Sequence, residues 1–358
     1  MKILDSYISK RFLITYVYVV MIIVAIVVVV DYTEKADDFI EKKAPTSEII
    51  FNYYLNFIPY WANYISPLMI FIATVFMTAS MAAKTEIIAI LSSGVSFMRF
   101  LRPYVMGAAV VAVITFFMVG WVIPKANKTR LAFENKYVKS QYYFSGRDIH
   151  LKIAPDTYAY LESYSNVSKT GFRFTLEKIK GTKLLEKLSA EQIVWDEKKK
   201  KWKIEDYKIR KLNGNLHSLV RGTSLDSTLN MFPKDFESDY NLYETFTLDE
   251  LDAYINQSIS RGADGVETYL IEKYQRYSSP FAVFILTIIG VILSARKARG
   301  GVGIQIALGF VLAFVYIMFF ILSKGIAEKG GIPPLLAVWL PNIVFAFIGL
   351  ILYKTVPR

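Results

Sequence analysis

Residues 83–103 read A-K-T-E-I-I-A-I-L-S-S-G-V-S-F-M-R-F-L-R-P and lie between two long apolar runs. Lys84 and Glu86 open a short helical pattern whose apolar side is Ile87, Ile88, Ile90 and Leu91. Ser92-Ser93-Gly94 breaks that pattern. Arg99 and Arg102 close the stretch just before Pro103 and the next apolar run. The spacing predicts an amphipathic helix over 84–92, set between two membrane spans on their basic side. Such a helix suits contact with a soluble partner that moves the spans.

Working outward, the 358-residue chain is 54% hydrophobic and only 20% charged. With several apolar runs near the spanning length of about 20 residues, it reads as a polytopic membrane protein. It has no Cys and only two His, His150 and His217, which excludes disulfides and argues against a dedicated zinc site. The net charge of +11 suits anionic lipid or an anionic substrate but decides nothing alone. The first apolar run lacks a small-residue cleavage site and reads as a retained span.

Met1 to Arg11 is amphipathic and basic, and Phe12 to Val30 is an unbroken apolar run. As a helix that run covers about 28 Å, close to the hydrocarbon thickness. Asp31 to Glu48 is acidic on balance and reads as a loop. Ile49 to Trp61 is aromatic and suits an interfacial belt. Span two is expected over Ile65 to Ala83 and span three over Tyr104 to Ile123, with Pro124 ending it.

From there to about Gly265 the chain is polar. Thr157–Tyr164, Phe172–Ile179, Ala190–Trp195 and Lys201–Leu212 read as half-buried strands, with turns at Lys169-Thr170-Gly171, Asp196-Glu197-Lys198 and Asn213-Gly214-Asn215. Short strands with such turns predict a small antiparallel sandwich or jelly-roll. Leu248–Ile259 reads as a helix and Gly262–Gly265 as a hinge. Span four includes Phe281–Ala295 and needs an upstream start near Tyr274 or Tyr277 to reach spanning length. A basic turn at Arg296, Lys297 and Arg299 precedes span five, about Ile304 to Ala327, and span six is Leu335 to Tyr353.

The expected fold is therefore an α-helical polytopic membrane protein with six transmembrane helices and an inserted all-β, jelly-roll-like domain between helices three and four. Residues 1–124 hold the first three spans, 125–265 the β domain and 266–358 the last three spans. Short-loop Lys and Arg at both termini and after spans two and four put those segments in the cytoplasm and the β domain outside.

No G-x-x-x-x-G-K-[ST] loop, H-E-x-x-H, EF-hand loop or nucleophile elbow is present. The apolar runs carry almost no ionisable side chain, which argues against an ion-coupled transporter. Energy for work on a substrate would have to come from another subunit.

Five pieces in order resemble the LptF/LptG family of lipopolysaccharide export permeases. They are I-L-D-S-Y-I-S-K-R-F-L at 3–13, E-I-I-A-I-L-S-S-G-V-S-F-M-R at 86–99, W-V-I-P at 121–124, Y-S-S-P-F at 277–281 and G-I-P-P-L-L-A-V-W-L-P-N at 331–342. The G-I-P-P turn and V-D-Y-T-E-K-A at 30–36 resemble the LptG branch more than LptF. The resemblance implies a permease in the bacterial inner membrane, not itself an enzyme, that extracts lipopolysaccharide and passes it to a periplasmic bridge. It implies an LptB-like ATPase dimer that binds ATP and Mg, a second LptF/LptG-type permease, and LptC-like and LptA-like periplasmic proteins. It implies no cofactor on this chain and no nucleic acid.

It also implies site residues. Glu86 would dock on the ATPase, with Ile87, Ile90, Leu91, Phe97 and Arg99 beside it. Read from the residues alone, Glu86 could instead be a carboxylate favoured near a helix N-terminus, and the apolar side chains could pack on the protein's own spans. Lys35, Lys125, Lys128 and Arg130 lie just outside spans one and three, where head-group phosphates would want cations. They could instead be solvated or paired with Asp31, Asp37 or Glu134. Some LptG proteins carry a lysine about two turns before the Lys35 position, where this chain is apolar around Val28. Ile14, Val17 and Met21 of span one and Phe310, Phe314 and Ile317 of span five would line the acyl path. Two other functions fit the residues: a membrane-embedded lipid head-group enzyme, and a mechanotransmitting ABC subunit or envelope scaffold without a lipid path.

Overall fold

The computed structural model describes residues 3–138, 147–213, 216–236, 242–261, 265–295 and 302–354. The basic turn at Arg296, Lys297 and Arg299, the residues 262–264 of the expected hinge, and the Gly214-Asn215 turn lie outside them. The chain divides into two compact units, one of residues 1–138, 243–251 and 267–358, the other of residues 139–242 and 252–266.

The first unit is helical. Its elements are α1 (Ile3–Glu41), α2 (Thr46–Glu48), a π-helical turn (Ile49–Tyr54), α3 (Leu55–Tyr64), α4 (Ser66–Ala83), α5 (Glu86–Ser92), α6 (Phe97–Phe117), a second π-helical turn (Met118–Val122) and α7 (Ile123–Tyr137). After the sheet come α8 (Leu248–Arg261), α9 (Val266–Ser294), α10 (Val302–Glu328) and α11 (Pro334–Lys354). Among the described residues six helices are long and apolar enough to cross a membrane.

Two expectations change. The acidic stretch after span one is not a loop up to Glu41, because no Gly or Pro interrupts α1 before Pro45. The helix stops where Lys43 turns left-handed at φ 51° and the Ala44 amide bonds the Phe39 carbonyl at 2.9 Å. Nor does Pro124 end the helix of span three, which runs on past the apolar stretch to Tyr137. A proline ring collides with the carbonyl four residues back, here that of Gly120. The widened turn over Met118–Val122 takes up this conflict, so Pro124 sits in the first turn of α7.

The helices pack through three main apolar clusters. Ile8 and Phe12 of α1 meet Met77 and Met81 of α4, Ile87 of α5, Phe100 and Tyr104 of α6, and Val283 of α9. A Cβ on Gly107 would stand 2.5 Å from the Phe12 ring, so glycine sets the approach of α1 to α6. Phe71, Leu286, Ala313, Tyr316 and Phe345 join α4, α9, α10 and α11. Phe39, Tyr53, Phe57, Phe133 and Tyr137 form an aromatic cluster at the far end of α1. Buried polar side chains are bonded across helices, as in Thr78 to Tyr104 at 3.0 Å and Tyr316 to Asn342 at 2.9 Å.

The second unit holds one six-stranded antiparallel sheet. Its strands are β1 (Arg147–Ala154), β2 (Thr157–Ser165), β3 (Thr170–Lys180), β4 (Lys183–Asp196), β5 (Lys201–Asn213) and β6 (Leu216–Ser227), each paired with the next. The all-β insertion is thus present as a meander, and no crossing connection of a jelly-roll lies among the described strands. One face buries Leu161, Phe174, Ile193, Trp202 and Ile204 under Met231 and Phe236 of the following segment. Trp202 is fully buried, and its Nε1 donates to the Met231 carbonyl at 2.7 Å. At the β4–β5 tip, Asp196 Oδ1 accepts from the amides of Lys198 and Lys199 at 2.9 and 3.1 Å, which shapes the turn.

Replacing Trp202 by Ala removes that bond and the largest buried side chain, at a cost of about 3–5 kcal/mol. Limited trypsin digestion of the full-length protein should then cut within β1–β6 much faster than in the wild type, with α9–α11 still protected. Lys198→Ala, on the exposed tip, should leave the cleavage rate unchanged.

Candidate functional site

The chain leaves α4 through Lys84 and enters α5 through Thr85, which is left-handed at φ 61°. A β-branched residue rarely adopts this conformation. Gly94, at φ 86°, ends the segment, and Ser96 caps α6 by accepting from the Arg99 amide at 3.3 Å. α5 is therefore a two-turn helix held between two tight joints.

Its side chains divide by depth. Ile87 and Phe97 are buried in the protein's own core, and Ile90 and Leu91 are packed against it in part. The exposed apolar side chains here are Ile88 and Met98. Glu86 Oε2 accepts from Arg11 and from the Tyr7 hydroxyl, each at 3.3 Å. Arg99 holds Asp5 through two bonds of 2.6 and 2.9 Å. Asp5 is buried, and the bidentate fork of an arginine is well suited to neutralise it there. Two ion pairs thus join the start of α1 to the α5–α6 segment.

The opposite end of α1 carries a second charged cluster. Lys35 bonds Asp31 at 2.8 Å, lies 3.9 Å from Glu134 and is also bonded to the Tyr53 hydroxyl. That hydroxyl donates to both Asp31 oxygens, at 3.0 and 2.9 Å. Burial, with the charges of Asp31 and Glu134 adding to it, holds the Tyr53 phenol far above its usual range and keeps it a donor. Arg130 meets Glu244 at 3.1 Å and Glu134 at 3.7 Å, and its guanidinium lies 4.3 Å from the centre of the Tyr60 ring. Lys128 pairs with Glu250 at 2.9 Å. Of the four expected head-group cations, only Lys125 makes no ion pair among the described residues, and it is exposed. For Lys35, Lys128 and Arg130 to take a phosphate, a carboxylate would have to be exchanged for it.

Ile14, Val17 and Met21 form an exposed stripe on α1, and Phe310 and Phe314 are exposed on α10 with Ile317 half-buried. Between Leu13 and Val30 only Val24 of α1 is buried, so the apolar middle of this helix faces outward. Among the described residues no cluster of three His, Asp or Glu could hold a metal ion.

Sequence reasoning missed Asp5, Arg11, Tyr53 and Glu244. Each has a partner far off in sequence, 22 residues for Tyr53 to Asp31 and 114 for Arg130 to Glu244, and no local pattern marks such pairs.

Helices, sheet and site residues together suit a permease. The family model described as Lipopolysaccharide export system permease LptF/LptG matches residues 6–355. The chain belongs to the LptF/LptG family. No curated protein matches it. As an LptF/LptG member it is a lipopolysaccharide export permease and a multi-pass inner-membrane protein.

The Asp5–Arg99 pair gives a direct test in this LptF/LptG chain. Arg99→Ala takes the bidentate guanidinium away from a buried carboxylate and should lower stability. Thermal unfolding of the detergent-solubilised protein should show the drop. Adding Asp5→Ala should recover part of it, because the buried charge is gone.

Proposed function

We propose that this chain is the LptG-type half of an exporter that extracts lipopolysaccharide from the outer leaflet of the inner membrane, driven by a separate LptB-like ATPase. The observation that carries this reading is Glu86. It stands half-exposed on a short helix between two spans, beside exposed Ile88, and is bonded to Arg11 of α1. No phosphate-binding loop occurs in the sequence, so ATP and Mg belong to the partner. The LptG assignment rests on the G-I-P-P turn and on residues 30–36.

In this mechanism the ATPase grips α5 at Glu86 and Ile88 and moves it with nucleotide state. The Arg11–Glu86 and Arg99–Asp5 pairs carry that displacement to the start of α1. α1 bears the Ile14, Val17 and Met21 stripe, which would pair with the α10 stripe of a second LptF/LptG-type permease to admit acyl chains from the side. Lys125 would meet a head-group phosphate first, and Lys128, Arg130 and Lys35 would follow by exchanging their carboxylates. LptC-like and LptA-like proteins would receive the lipid on the β-domain side, and the short-loop charge supports reading that side as outside the cytoplasm.

Glu86→Ala should weaken association with the ATPase ten-fold or more, since a hydrogen bond to a charged group contributes about 1.5–3 kcal/mol. Co-purification and lipid export at matched membrane abundance are the readouts. Wild-type recruitment and export by both Glu86→Ala and Glu86→Lys would reduce Glu86 to a helix-terminal charge. Sidedness is tested separately. Cysteines placed at Ser92 and Ser168 should label from opposite faces of the membrane, and labelling from one face would overturn the six-span topology.

A further inference from the structure

The β sheet buries one face, and its opposite face carries unpaired positive charge. Strand register sets Lys208 of β5 directly opposite Arg221 of β6, and Arg210 of β5 directly opposite Lys187 of β4. Directly opposite residues share a face, with Cβ atoms about 5 Å apart. Lys208 and Arg210 are two residues apart, so the four cations form one patch. Tyr207 and Ile209, the alternate residues of β5, pack on the buried core, which puts the patch on the other side.

Little in the protein neutralises this patch. Lys187 is bonded to Glu177 at 2.7 Å. Lys208, Arg210 and Arg221 are exposed and make no ion pair among the described residues. Like charges set directly opposite each other destabilise a sheet. No contact within the sheet offsets that cost, so the patch calls for an anion from outside. Two guanidinium forks beside an ammonium suit phosphate oxygens in particular.

The same rows continue across the sheet to aromatic rings. The row of Arg210 and Lys187 passes through Glu177 to Tyr158 of β2. The row of Arg221 and Lys208 passes through the hydroxyl residues Ser189 and Thr175 to Tyr160. Tyr158 is 39% exposed, and Lys152 Nζ lies 5.9 Å from the centre of its ring. At about 4.8 Å per strand, Tyr158 stands about 14 Å from Arg210. Cations for phosphate, hydroxyls between, and an open ring that can stack on the C–H face of a sugar all lie on one face. An acidic polypeptide added along the edge of β6 would use backbone groups and leave the rings on β2 idle.

We propose that this face docks the phosphorylated saccharide of the exported lipopolysaccharide. Lys208, Arg210 and Arg221 hold phosphate, and Tyr158 stacks on a sugar ring. The proposal rests on the family's cargo. It does not depend on the grip at Glu86 or on the cations beside spans one and three.

The test is calorimetric titration of the full-length protein in detergent with fully deacylated lipopolysaccharide, a saccharide that keeps its phosphates and has no acyl chain. Wild type should bind it saturably, and the same saccharide stripped of phosphate should bind at least ten-fold more weakly. Lys208→Gln with Arg221→Gln should weaken binding ten-fold or more, while the melting temperature stays equal or rises, because a like-charge pair is gone. Lys198→Gln with Lys200→Gln removes the same charge from the exposed β4–β5 tip and should leave binding unchanged. Tyr158→Ala should weaken it several-fold. Glu86→Ala should bind as wild type does, so failure of the ATPase reading is seen separately. Four results would each overturn the assignment: no saturable binding, equal binding after phosphate removal, wild-type binding by the Lys208–Arg221 double variant, or equally tight and competing binding of polyglutamate or of phosphatidylglycerol vesicles. The last would make the face a site for an acidic protein or for the membrane surface.

Discussion

Lipid offers the backbone no hydrogen-bond partners, and the rest of this structure depends on that constraint. It makes a helix of Val27-Val28-Val29-Val30, a run that would favour a strand in water. It also governs where irregularity occurs. The π-helical turns, the left-handed joint at Thr85 and the turn at Gly94 all lie toward the ends of apolar runs, where side chains or water can serve the freed backbone groups. Inside the runs, polar side chains such as Thr74, Thr287 and Ser294 return their hydroxyls to the carbonyl four residues back.

Charge follows the same logic one layer further out. Asp5, Asp31, Arg130 and Glu134 are buried near helix ends, and each has an opposite charge within 4 Å. Breaking one member of such a pair is costly, because it leaves a charge without solvent or partner. The pairs tie together helices distant in sequence, as Asp5 to Arg99 and Arg130 to Glu244 do. Of the cations that sequence reading set aside for a substrate, Lys35 and Arg130 turn out to be members of these pairs, and Lys128 sits in an exposed pair with Glu250.

Much of this was legible. Hydropathy located all six spans, because the cost of unsatisfied backbone allows few alternatives to a helix. β2 to β5 followed from alternation and turn residues. β1 carries the same signal, since Ile149, Leu151 and Ile153 alternate with other residues. β6 gave a weaker signal, because Leu219 and Val220 are adjacent and both exposed. Helix ends were misjudged where a local rule met a wider context. Pro124 is a helix breaker in a regular helix and is harmless after a π turn. The acidic composition of residues 31–41 resembled a loop, yet Phe39 anchors that stretch in an aromatic cluster. The short helix between spans two and three, expected over 84–92, is found over Glu86–Ser92, but its inward and outward faces were not separable, because seven residues make too few turns for a period.

The way α1 is held has a mechanical consequence. At one end it is fastened by Ile8, Phe12 and the Asp5–Arg99 pair, and at the other by Phe39 and the Asp31–Lys35–Tyr53 cluster. The 27 steps from Phe12 to Phe39 span about 40 Å. Along the middle it is touched only lightly, by a Tyr16–Ser66 bond, buried Val24 and the partly packed Val27 and Val28. It behaves as a beam supported at both ends. A push at its base can be taken up as bowing, with the largest sideways displacement near Met21, while both supports stay closed.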